Sequence, residues 1–258
     1  MQNSLLVGLS RQMSLSHQID IIANNIANID TTGFKADNAA FSQYLMPGAS
    51  DGDFTGKDNK INFVQDQGTW IDLRPGSLQR TGDPLDVAID GKGYFVVQTQ
   101  RGQRFTRNGA FGINSTGQLV TNTGDLVLGT AGPINFQNTD HDVIISASGV
   151  VSARDGSGTV NVQRGQLQLV DFANPQQLQK DSASTFQAPA NANQKAIAPG
   201  MRVVQGSIEK SNVQPILEMT RMIEITRSYS DIAAILQQQG DLRRNSLQQL
   251  AQATGTSG

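Results

Sequence analysis

Apolar residues at the two ends of this 258-residue chain recur at helical spacing, while those between them do not. Leu15, Ile19, Ile22, Ile26 and Ile29 step by 4, 3, 4 and 3 positions. Met222, Ile225, Tyr229, Ile232 and Leu236 step by 3, 4, 3 and 4. Such spacing averages 3.5 residues and keeps the apolar side chains facing one partner, as in a coiled-coil seam. It predicts helices over 4–29 and 215–250, roughly 39 Å and 54 Å long at 1.5 Å per residue. Asn28-Ile29-Asp30-Thr31-Thr32-Gly33 ends the first, because Thr and Asp favour turns and Gly33 can take the left-handed conformation. Ser211 or Asn212 can cap the second, with Pro215 in its first turn.

Between the ends the period changes to two. Leu85, Val87 and Ile89 alternate with Asp86 and Ala88, and Asp90-Gly91-Lys92-Gly93 turns the chain into a more buried run, Tyr94 to Val97. Short apolar runs follow at 119–120, 127–128, 143–145, 150–151, 160–162 and 167–172, separated by Gly-bearing turns. This predicts an irregular antiparallel β-domain. Residues 34–80 read as extended or linking, with a short helical piece up to Leu45, a polar and mobile stretch over 51–60, and a strand at Trp70-Ile71 before Pro75-Gly76. Residues 183–200, rich in Ala, Pro, Asn and Gln, read as an excursion, and 254–258 as a disordered tail. The expected fold class is α+β: a discontinuous, coiled-coil-like helical domain (1–33 and 211–258), a linking region (34–80) and a central β-rich domain (81–210).

Composition narrows the function. Net charge is −2, which gives no broad attraction for nucleic acid or anionic membrane. Only 16% of residues are charged, and 28 Gln and 18 Asn supply polarity instead. Up to Ile29 the first helix carries only Arg11 and Asp20, and its remaining face is Ser, Gln, Asn and Ala. Small and amide residues suit a face covered by neighbours, since a neutral amide is buried more cheaply than a charge. An amide-rich solvent face is the alternative. Cysteine is absent, so disulfides and thiolate sites are excluded. No targeting segment and no run of membrane-spanning length is visible.

No catalytic, cofactor or metal site emerges. His17 and His141 are the only histidines and neither has a motif around it. Asp140-His141-Asp142 looks like a metal clip, but in an extended segment its carboxylates and imidazole point to opposite faces. Gly91-Lys92-Gly93 and Gly156-Ser157-Gly158 do not open a helix after a strand, so they form no phosphate cradle. Asp83, Asp86 and Asp90 fit turns. A polysaccharide-cleaving solenoid would need a fixed repeat and clustered carboxylates, which are not seen. A non-catalytic binding adaptor with a coiled-coil handle is the remaining alternative class.

Several blocks resemble one family. Ala23-Asn24-Asn25-Ile26-Ala27-Asn28 followed by Thr32-Gly33-Phe34-Lys35 is similar to the N-terminal signature of bacterial flagellar rod and hook proteins. Arg80-Thr81-Gly82, Leu85 to Phe95, Phe105 to Phe111 and Gly117 to Thr121 resemble its central block. Val204-Gln205-Gly206, Glu209, Ser211-Asn212-Val213 and Glu218 to Ile223 resemble its C-terminal signature. Within the family, residues 208–213 and 218–224 are more like a proximal-rod than a distal-rod member. The resemblance implies a structural rod subunit that assembles with copies of itself and with other rod proteins. It implies delivery by the flagellar type III export apparatus without a cleaved signal, a place in the rod crossing the periplasm, and room for peptidoglycan contact. It implies no nucleic acid partner, no membrane insertion and no cofactor. The residues expected at the subunit interface are Leu15, Ile19, Ile22, Asn24, Asn25, Ile26, Asn28, Met222, Ile225, Tyr229, Ile232 and Leu236. The amides among them would bond across subunits or cap backbone groups.

Overall fold

A computed structural model describes residues 2–47, 60–156, 158, 160–189, 194–196 and 201–255. The chain forms two compact units. Unit 1 comprises 1–26, 37–70 and 215–258, and unit 2 comprises 27–36 and 71–214. The polar stretch expected to be mobile lies, up to residue 59, outside the described residues, as do 190–193 and 197–200 of the expected excursion and 256–258 of the tail.

Unit 1 contains most of α1 (Gln2–Ala27), α2 (Pro215–Gly255), and a two-stranded pair of β1 (Asp37–Pro47) with β2 (Lys60–Ile71). The helices meet where the sequence makes room for them: a Cβ added to Gly8 would lie 2.6 Å from Leu236 Cδ2. The short helical piece expected up to Leu45 is instead strand β1. Its ladder comes from β2, which follows after the undescribed stretch, so local pattern could not reveal it.

Unit 2 is built on a ten-stranded antiparallel sheet. Its spine runs β15 (Gln179–Lys180), β16 (Thr185–Gln187), β6 (Gly102–Thr106), β5 (Tyr94–Thr99), β9 (Leu126–Gly129), β8 (Leu119–Thr121), β7 (Phe111–Ile113). β10 (Gly132–Pro133) pairs with β9, and β14 (Leu169–Phe172) pairs with both β5 and β17 (Gln194–Ala196). β11 (Asp140–Ile145), β12 (Val150–Asp155) and β13 (Asn161–Gln166) form a three-stranded sheet. Two pairs close the unit: β4 (Val87–Asp90) with β18 (Arg202–Gln205), and β3 (Leu78–Arg80) with β19 (Ser207–Glu209).

β5 lies at the middle of the core and is apolar on both faces. Phe95 and Val97 join one cluster with Val87, Phe111, Val127, Ile134, Val151 and Leu167. Tyr94 and Val96 join a second with Phe105, Phe172 and Phe186. Alternation along a strand puts neighbouring residues on opposite faces, so an unbroken run of four apolar residues requires cover on both. Phe186 is wholly buried and meets Tyr94 edge-on at 5.7 Å. Residues 185–187 and 194–196 therefore belong to the sheet, although their composition reads as an excursion. Fully covering a side chain such as Phe186 contributes about 1.5–3 kcal/mol.

Candidate assembly surface

On α1, Leu15 and Ile22 are buried while Ile19 and Ile26 are half-buried. On α2, Met222, Ile225, Tyr229, Ile232 and Leu236 are all half-buried. Within unit 1, Gln18, Ile21, Ile22, Asp37, Asn38, Ala39, Glu218, Arg221 and Ile225 line an open niche of about 230 Å³. Glu218 accepts from Arg221, three residues on along α2, at 3.1 Å. Thus both helical stripes turn towards protein within this chain.

The amides at the end of α1 differ from one another. Asn25 is 1% exposed and grips the backbone of Asp37 in both directions. Its Nδ2 donates to Asp37 O at 2.8 Å, and its Oδ1 accepts from Asp37 N–H at 2.9 Å. Asn24 is exposed. Asn28 accepts from Thr31 Oγ1 at 3.1 Å in the turn that stops the helix. Asn25 therefore stitches the start of β1 to α1, an intramolecular use of an interface-type amide.

Further apolar residues lie on other faces of the helices. Leu6, Leu9 and Met13, spaced 3 and 4 apart, are 50%, 44% and 67% exposed. At 100° per residue they sit about 140° round α1 from the Leu15–Ile26 stripe. Ile216, Met219 and Ile223 repeat the spacing on α2 at 82%, 51% and 56% exposure, again about 140° from its stripe. Each helix thus has one apolar line turned inward and another in solvent. The sequence stripes reveal only the inward lines. The outer lines were discernible only as Leu6-x-x-Leu9 and Ile216-x-x-Met219 at helical spacing.

A second feature was missed from sequence. In unit 2, Lys35, Arg107 and Glu209 form a buried charge cluster with side chains 1%, 7% and 1% exposed. Glu209 Oε1 accepts from Lys35 Nζ at 2.5 Å and from Gly76 N–H at 3.0 Å, and Oε2 accepts from Arg107 Nη1 at 3.2 Å. Two further donors go to backbone carbonyls, Lys35 Nζ to Arg74 O at 2.9 Å and Arg107 Nη2 to Gly91 O at 2.8 Å, while Arg107 Nε is buried without a hydrogen-bond acceptor. Arg107 also lies over the Tyr94 ring, 5.3 Å from its centroid. Burial pulls the Lys35 ammonium below its ordinary range, and Glu209 only partly offsets this. Burial pushes the Tyr94 phenol up to about 12.

The aspartates of the supposed metal clip are both engaged by arginine. Asp142 accepts from Arg154 at 2.7 Å, and Asp140 from Arg164. No grouping of His, Cys, Asp and Glu suited to a metal occurs among the described residues.

Three family models match successive parts of the chain. "Flagella basal body rod protein" matches 5–35, "Flagellar hook protein FlgE/F/G D1 domain" matches 88–153, and "Flagellar basal body rod FlgEFG protein C-terminal" matches 204–250. The flagellar basal-body rod protein FlgF of Caulobacter vibrioides is 35% identical over 97% of this chain and 98% of its own length. The chain belongs to the flagellar basal-body rod protein family. FlgF of Rhizobium meliloti is 32% identical over 92% of both chains. FlgG of Bacillus subtilis is 34% identical over 92% of this chain and 94% of its own. The three matched segments each contain one member of the buried cluster: Lys35, Arg107 and Glu209 respectively.

Proposed function

We infer that this chain is a structural, non-catalytic subunit of the flagellar basal-body rod, of the proximal FlgF kind. It assembles with copies of itself and other rod proteins into a hollow shaft that transmits torque. The observation that carries this reading is the pair of uncovered apolar lines, Leu6–Leu9–Met13 and Ile216–Met219–Ile223, on helices whose other apolar stripes already face protein. Neighbouring subunits would cover these lines, and long helices gain most of their stability from such packing. A head-to-tail contact that does not close on itself builds a helical tube. Leu15, Ile19, Ile22, Ile26, Met222, Ile225, Tyr229, Ile232 and Leu236 hold the helices in register for that packing, and Asn24 offers an exposed amide to a neighbour. Delivery by the flagellar type III export apparatus, a place in the periplasm-crossing part of the basal body and contact with peptidoglycan follow from the same reading. Among the described residues no helix is long and apolar enough to cross a membrane.

The test is complementation of a flagellated strain that lacks its own FlgF. The full chain should restore motility. Leu9→Asp with Met13→Asp should abolish it while near-UV circular dichroism of the purified variant, which reads Trp70 and Tyr229 of unit 1 as well as the rings of unit 2, stays unchanged. Swimming cells carrying that variant would overturn the role of the outer line. The similarity to FlgG supports one rival, a distal-rod subunit. Rescue of a strain lacking FlgG but not of one lacking FlgF would favour it.

A further inference from the structure

The chain passes between its two units four times, at 26/27, 36/37, 70/71 and 214/215. On the unit 2 side these crossings belong to three segments, 27–36, 71–77 and 209–214, and all three are bonded to one another. Gly33 N–H donates to Glu209 O at 2.8 Å, and Lys210 N–H donates to Ser77 O at 2.9 Å. Asp72 N–H donates to Ala36 O at 2.8 Å. Asn212 bridges the other two segments with its single amide. Its Oδ1 accepts from Ala36 N–H at 2.8 Å, and its Nδ2 donates to Asp72 O at 2.7 Å and Arg74 O at 3.0 Å. Glu209 adds Gly76 N–H, Lys35 and Arg107. Close approach leaves little slack: a Cβ on Gly76 would sit 1.9 Å from Lys210 O.

We propose that Glu209 and Asn212 form an interlock that makes the three crossing segments close and open as one cooperative unit, completed only when residues 209–212 are seated. The physical reason is the charge arrangement. With Glu209 withdrawn, Lys35 and Arg107 are two buried cations with no carboxylate hydrogen-bonded to them, Asp72 acting on Lys35 only from a distance, and removing one partner of a buried ion set is far costlier than losing an exposed pair. Partial opening is therefore the least favourable state, which is the condition for all-or-none behaviour. Asn212 extends the coupling to backbone groups that Glu209 does not reach. The seat is filled by the last of the three segments in chain order, so the β-body of unit 2 stays incomplete until that segment is in place.

The interlock is independent of the rod role and is read on the purified full-length chain by native-state hydrogen exchange. In the parent protein the amides of Gly33, Ala36, Asp72, Gly76, Lys210 and Asn212 should exchange through one shared opening. In Glu209→Gln all six should speed up together, by about a hundred-fold or more, while Ser146 and Gly149 in the β11–β12 turn stay unchanged. In Asn212→Ala, which leaves the three charges in place, Gly33 and Gly76 should also speed up by about ten-fold, although Asn212 bonds to neither. Acceleration confined to Gly33 and Gly76 in the first variant, or to Ala36 in the second, would overturn the proposal. If Glu209→Gln does not fold, the Asn212→Ala pattern alone decides.

Discussion

Gly33 closes the signature turn after α1, and replacing it with alanine separates two costs that usually arrive together. Its φ is +70°, a conformation that costs an L-residue about 1–2 kcal/mol. A Cβ there would also lie 2.4 Å from Asn108 N and 2.5 Å from Arg107 C, both backbone atoms of the loop just after β6 that presents Arg107 to Glu209. Neither can swing aside as a side-chain tip could. The turn must retreat by about 1 Å to reach ordinary contact, which strains the Gly33 N–H bond to Glu209 O at 2.8 Å. Overpacking of that kind costs about 1–3 kcal/mol and a weakened bond about 1 kcal/mol more. The total for Gly33→Ala is roughly 3–6 kcal/mol, the sum of those contributions. Gly82→Ala is the matched control. Its φ is +80°, but nothing lies within 4 Å of the added Cβ, so only the conformational cost of about 1–2 kcal/mol applies.

Thermal unfolding of unit 2 is followed through the NMR signals of its buried methyl groups at Val87, Val97, Val127 and Leu167. At about 2–4 °C per kcal/mol for a domain of this size, Gly33→Ala should lower Tm by roughly 10 °C and Gly82→Ala by only a few degrees. Equal losses in the two variants would show that the backbone contact at residue 33 carries no weight, and the reasoning about the turn would fail.

Other consequences follow from the same contacts. Tyr94 titrates near 12 when folded and near 10 when unfolded, so its contribution is complete below pH 10 and is lost as pH rises to 12. Two pH units correspond to about 2–3 kcal/mol, and Tyr94→Phe should flatten this limb of a urea-midpoint profile. Lys35 acts with the opposite sign: its folded pKa is depressed, so unfolded chains hold the extra proton below 10.5 and stability rises as pH approaches that value. A profile from pH 8 to 12 should therefore rise and then fall, and a monotonic fall would contradict the burial of Lys35. Asn25→Ala leaves Asp37 N–H and C=O without their partner, at about 2–3 kcal/mol for two bonds. Faster exchange of the Asp37 amide with unchanged protection across β5 would confirm the stitch.

The two helices were legible because their stripes are local: Leu15 to Ile26 and Met222 to Leu236 declare a period of 3.5 within 12 and 15 residues. The strands around Leu85–Val97 were legible for the same reason, with Gly91 and Gly93 marking the turn. Strand β1 was not, because Asp37–Pro47 shows no alternation and takes its conformation from β2, its partner further along the chain. Phe186 was hidden by its surroundings, a single large anchor in a stretch of Ala, Ser, Asn and Pro. The charge cluster was the hardest to find. Lys35, Arg107 and Glu209 are separated by 72 and 102 positions, and each alone reads as an ordinary surface charge. The available signal was indirect: in a chain short of charges, each of the three sits inside a motif block.

Unit 1 and unit 2 use burial in opposite ways, and this divides the effects of mutation. In unit 2 the charges of Lys35 and Arg107 are taken out of water against carboxylate and carbonyl acceptors, Arg74 O, Gly91 O and Glu209. Such a site tolerates no missing partner, so substitutions there act through folding. In unit 1 the outer lines on α1 and α2 are apolar and left in solvent. If those positions were merely tolerated on the surface, Leu6, Leu9 and Met13 would have no reason to share a face with 3- and 4-residue spacing, nor Ile216, Met219 and Ile223 to repeat it. A polar replacement there removes nothing the single chain has buried, and its cost appears only when a neighbour must cover the face. Loss of function with full retention of fold should therefore map to these six positions, and loss of both to the residues around Glu209.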